Sequence, residues 1–248
     1  MKPRTRLGLE ALEDRWCPAL TASLQSGLLT ISGTADNGSI SVVQDSATAG
    51  TISVLDGTTA VGSSPFTGVT SVRLNLTSAD DNVTIDLGGQ ALSGSVVANL
   101  GAGANSLTVS NGTITGNLLI TGDTSASRGC GGRGDGGSAV ADTGVDTLTL
   151  AAGATVNNLA IRGGAGGSTI DVSGDVTGSV FVDAFHRGGS AAGTSLSVSG
   201  TVDGNVLFAG SDQADTLDIT GSVGRGVAAA LFGGDDKVSL AEIGRAHV

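Results

Sequence analysis

The strongest constraint on this chain is a phrase that recurs at fixed spacing. "TSLSVSGTVDGNVL", which begins at Thr194, is echoed by "DTLDITGSVGRGVA", which begins at Asp215. An apolar-polar-apolar triplet opens each unit: Leu107-Thr108-Val109, Leu148-Thr149-Leu150, Ile170-Asp171-Val172, Leu196-Ser197-Val198, Leu217-Asp218-Ile219 and Val238-Ser239-Leu240. From Leu148 onward the triplets recur about every 21 residues, with one wider gap between Ile170 and Leu196. A polar centre between two apolar residues has the period of a strand with one buried face. Each triplet but the last is followed by a glycine (Gly112, Gly153, Gly174, Gly200, Gly221) and then by one apolar residue (Ile114, Val156, Val176, Val202, Val223). A second strand then begins at Leu118, Leu159, Val180, Val206 and Val227.

One such unit cannot bury its own apolar face, but a stack of them can. The pattern predicts an all-β parallel β-helix, a β-solenoid of about 21-residue coils from residue 77 to 240, with corners at glycines whose positive φ costs little. Roughly seven coils at about 4.8 Å each give a rod about 34 Å long. An antiparallel sandwich of short strands is the alternative, but it requires no recurring register. Residues 20–76, with "GLLTISG" and "TISVLDG", are strand-like but less regular, and read as an N-terminal β cap or imperfect coils. The middle residues of the second strands (Leu119, Ala160, Phe181, Leu207, Ala228) would form an apolar ladder on the outside. The expectation is that the N-terminal segment or an insertion covers it, with a partner-binding stripe as the alternative. A Gly-rich loop at 121–144 and a shorter insertion, "FHRGGSAAG" from Phe185, interrupt the register.

Composition agrees with strands and turns. The chain has 42 glycines, no Tyr and one Trp, and after Asp14 every acid except Glu242 is Asp, a turn former rather than a helix former. The formal net charge of −11 opposes binding to nucleic acid or to an anionic membrane surface. No apolar run reaches the length of a membrane span. Two cysteines, Cys17 and Cys130, cannot staple a fold of this size.

Residues 1–19 read as an export leader. "RLGLEALEDRWCPA" lacks the apolar core of a secretory signal. Its run Leu9-Glu10-Ala11-Leu12-Glu13-Asp14-Arg15 resembles the L-E-x-L-E-x-R leader of large exported proteins of planctomycete bacteria. That resemblance implies an extracellular or cell-surface location. At the other end, "EIGRAHV" departs from the repeat vocabulary and resembles the translated start of a short-read sequencing adapter. Residues 241–248 are therefore expected to be a non-native tail, and the chain a fragment of a longer one.

Chemistry-bearing residues are sparse. "GAGANSLTV", "GSDQADTLDI" and "GGDDKVSL" resemble worn copies of the nonapeptide of hemolysin-type calcium-binding proteins. The resemblance implies calcium as the cofactor, with Asp212, Asp215, Asp235 and Asp236 as candidate ligands supplied by neighbouring turns. The phrase occurs here once per coil rather than in tandem, and turn chemistry alone explains Asp and Gly there. Among catalytic residue types only Asp183, His186 and Arg187 cluster, in "VDAFHRGG". They would serve a carbohydrate-active β-helix of the lyase or hydrolase type, although the chain has no Tyr and its one Trp lies in the leader. "GGAGGST" lacks the lysine of a phosphate-binding loop, and Arg133-Gly134-Asp135 is a tripeptide that chance supplies readily. The expectation is a non-enzymatic structural or adhesive module, with a surface polysaccharide or another protein as partner. No nucleic acid and no membrane span are expected.

Overall fold

The computed structural model describes residues 19–35, 38–77, 79–122, 144–163, 166–184 and 192–241. All regular structure among them is β: 22 strands joined in one hydrogen-bonded network. The antiparallel pairs all lie before residue 68, and every later pairing is parallel.

The parallel strands form three files, in which a strand pairs with its counterpart one repeat later. On the first face Ile40, Val83, Leu107, Leu148, Ile170, Leu196, Leu217 and Val238 stand in register, one above another. On the second face the same holds for Leu29, Val72, Val96, Leu118, Leu159, Val180, Val206 and Val227. A narrow third file holds Leu92, Ile114, Val156, Val176, Val202 and Val223. Nearly all these side chains are buried, in one continuous core. Burying each Leu, Ile or Val contributes about 1.5–3 kcal/mol. The repeat register is therefore what keeps aliphatic residues facing aliphatic residues.

Antiparallel strands occupy the N-terminal edges of two files. Thr21–Gln25 pairs with Leu28–Gly33, and Thr51–Asp56 pairs with Ser39–Gln44. The short strands Thr59–Ala60 and Phe66–Thr67 pair in turn with Thr51–Asp56. Leu20, Val61, Phe66 and Val69 are buried against the core from this end. At the opposite end the strand residues Val238 and Leu240 are exposed.

The corner glycines act differently from expectation. Gly112 and Gly153 do have positive φ, but Gly174, Gly200 and Gly221 do not. Their constraint is the closeness of the neighbouring rung. A Cβ on Gly200 would collide with the Gly174 carbonyl oxygen, and one on Gly221 with that of Gly200, both far inside the 3.0 Å that real Cβ contacts respect. The backbones stack so closely at this corner that only hydrogen fits between them.

Two substitutions separate these causes. Gly200→Ala is expected to cost about 2–3 kcal/mol, the penalty of overpacking against rigid backbone. Gly153→Asn should cost under about 1 kcal/mol, because Asn tolerates positive φ and nothing lies within 4 Å of a Cβ at Gly153. Equal losses in urea denaturation would contradict the steric account.

Candidate functional site

From Val83 onward, the position two residues before each first-face column residue is polar, yet on all but the last rung it is buried in the interior. It holds Asp81, Asn105, Asp146, Ser168, Thr194 and Asp215, all buried, and the exposed Asp236 on the last rung. Buried polar atoms need partners, and here the neighbouring rung supplies them. Asn105 Oδ1 accepts the Asp81 N–H (3.0 Å), Asp146 Oδ1 accepts the Asn105 N–H (3.1 Å), and Asp215 Oδ1 accepts the Thr194 N–H (2.6 Å). Asp236 Oδ1 accepts the Asp215 N–H (2.9 Å). Each of these side chains thus caps the backbone of the rung before it. A second ladder runs along the start of the second face. Ser95 Oγ accepts from the Asn117 N–H, Asn158 Oδ1 from the Ser179 N–H, and Ser179 Oγ from the Asn205 N–H.

This geometry bears directly on calcium. Asp215 is only 1% exposed. Its Oδ2 accepts the Ser211 N–H (2.6 Å), and its Oδ1 accepts both the Thr194 N–H and the Ser211 hydroxyl (3.1 Å). Asp212, Asp235 and Asp236 are exposed at the same end. Among the described residues, no group of three or more His, Cys, Asp or Glu converges as a metal site. Calcium takes six to eight oxygens, whereas the Asp215 carboxylate is committed to three hydrogen bonds from its own chain.

Of the catalytic candidates, only Asp183 lies among the described residues. Asp183 ends the strand Val180–Asp183 and stands in register with Arg162 on the rung before it, an opposite-charge neighbour. His186 and Arg187 lie outside the described residues, as do Cys17, Cys130 and Arg133-Gly134-Asp135. The outer apolar ladder is present: Leu119, Ala160, Phe181, Leu207 and Ala228 stand in register. Phe181 and Leu207 are each 40% exposed. Among the described residues, the expected cover is therefore missing at those two rungs.

No family model, no curated protein and no solved structure matches this chain.

One residue that motif reading passed over is the least satisfied in the ladder. Asp81 is 1% exposed, and neither of its carboxyl oxygens makes a well-formed hydrogen bond. Burial pushes its pKa up from 3.8 to about 6. The nearby backbone amide of Ala35 opposes that rise, and the Asp56 and Asp80 carboxylates add to it. Aligning the repeats by the residue two before each first-face column residue would have flagged it.

Asp215→Ala would leave the Thr194 and Ser211 N–H groups buried without acceptors. A loss of about 2–4 kcal/mol is expected in urea denaturation, with Asp215→Asn retaining part of the stabilisation. Melting temperatures in millimolar calcium and in chelator should agree. A calcium-dependent rise that disappears in Asp236→Asn would support the metal reading.

Proposed function

We propose that this chain is a parallel β-solenoid that serves as a rigid, non-enzymatic spacer or adhesive module of an exported cell-surface protein. The observation that carries the reading is the unbroken register of the first-face column from Ile40 to Val238. A stack held by rung-to-rung hydrogen bonds is stiff along its axis and grows by whole coils. Such an element suits holding something at a distance. The L-E-x-L-E-x-R leader run supports export. The exposed file around Phe181 and Leu207 supplies a surface for contact with a polysaccharide or another protein. Asn105, Asp146, Asp215 and Asp236 are committed to backbone capping, which supports a scaffold rather than a reaction centre.

Two experiments test the architecture and the role separately. Duplicating residues 195–215 inserts one repeat, so the variant should fold with an unchanged circular dichroism shape and a particle about 5 Å longer by small-angle scattering. A duplicate that unfolds or aggregates would rule out the stacked-coil reading. Sugar release from acidic and neutral polysaccharides should stay at the level of a protein-free blank. Release that vanishes in His186→Ala would replace this reading with a carbohydrate-active enzyme.

A further inference from the structure

Four buried side-chain atoms among the described residues lack a well-formed hydrogen bond, and they flank one seam. They are the amide nitrogen and oxygen of Gln44 and the two carboxyl oxygens of Asp81. Gln44 ends the strand Ser39–Gln44, and Asp81 immediately precedes Asn82–Leu92. Those two strands pair in parallel from Ser39–Asn82 to Val43–Asp86. On its other edge Ser39–Gln44 carries the antiparallel strand Thr51–Asp56. The seam is thus the junction between the N-terminal cap and the regular stack.

Asp81 is unsatisfied because the ladder stops there. Asp146, Asp215 and Asp236 each receive a backbone N–H from the rung before them. Below Asp81 the corresponding Gly38 N–H donates instead to the Ala35 carbonyl. Among the described residues, the groups acting on the Asp81 carboxyl are Asp56 from the cap strand, Asp80 beside it and the Ala35 amide, and none of these is cationic. Asp80 Oδ1 is itself held by the Ala104 N–H (2.8 Å). Asp56 also lines a cleft of about 240 Å³ with Leu20, Thr59 and Val61. An ionised carboxylate in this position would be a buried charge with only the Ala35 amide to offset its lost hydration. A protonated one is a neutral, compact side chain.

We propose that Asp81 is a proton latch for the cap: its proton holds the N-terminal antiparallel strands closed on the stack, and loss of that proton to solvent shifts the seam toward opening. The direction follows from linkage. The closed-state value of about 6 lies above the ordinary 3.8 that Asp81 regains when the seam opens. The stabilisation is therefore complete below pH 3.8, falls about tenfold in the opening equilibrium per pH unit above that, and is lost once the pH passes about 6. The full change is roughly a hundredfold.

Hydrogen exchange of the whole chain from pH 3 to 8, corrected for intrinsic rates, reads this out at the amides of Ser39–Gln44 and Thr51–Asp56. The expected result is a roughly hundredfold loss of protection between pH 4 and 6 with a plateau above. At pH 7.5 Asp81→Asn should be about a hundredfold better protected than the wild type, and at pH 3.5 the two should agree. Asp56→Asn removes a like charge and should move the upper break to lower pH, which keeps the test available if Asp81→Asn does not fold. Three outcomes overturn the proposal: pH-independent protection, an unchanged profile in Asp81→Asn, or an upper break that Asp56→Asn leaves in place. Full recovery of protection by millimolar calcium at pH 7.5, dependent on Asp81, also overturns it in favour of a cation site.

Discussion

Everything in this protein depends on neighbouring rungs meeting in register. The parallel hydrogen bonds alone would tolerate a slip, but a one-residue slip would turn every file residue outward. The aliphatic columns through Leu148, Ile170, Leu196 and Leu217 prevent that, because burial rewards only one alignment. The same register then brings Asp215 beside the Thr194 amide and Gly200 onto the Gly174 carbonyl. Apolar stacking, polar capping and glycine corners are three consequences of one geometric condition.

This condition gives Asp215, one of the turn aspartates, a structural task. A turn aspartate beside glycine invites a metal reading, and the sequence resemblance to calcium-binding repeats rests on such turns. Once the rungs are stacked, the Asp215 carboxylate faces donors from its own chain. A low-dielectric interior makes those bonds strong and their absence costly. The carboxyl that stands apart is Asp81, where the stack below changes from parallel rungs to an antiparallel cap. The unsatisfied polar atoms collect where the regular geometry ends, since capping between rungs requires neighbouring rungs of the same shape.

The outer surface follows a different logic. Interior positions recur because every rung must bury them, whereas an outward residue is free to vary. Thr30, Arg73, Val97, Leu119, Ala160, Phe181 and Leu207 succeed one another on the second face without a common chemistry. The apolar stretch ending in Phe181 and Leu207 therefore stands out as a surface no buried column requires.

The sequence by itself determined the all-β character, the strand triplets and the columns of apolar residues, because side-chain alternation and repeat spacing are local and one-dimensional. It also marked the corner glycines, but not their reason. Spacing cannot reveal that Gly200 and Gly221 are needed for close approach rather than for positive φ. The inward aim of Asp215, its three hydrogen bonds and the poorly satisfied state of Asp81 were settled only by tertiary structure. Each depends on which backbone N–H lies one rung away, near in space but remote along the chain. The antiparallel strands at the N-terminal end were likewise decided in three dimensions, since the direction of a strand is set by the edge it must close.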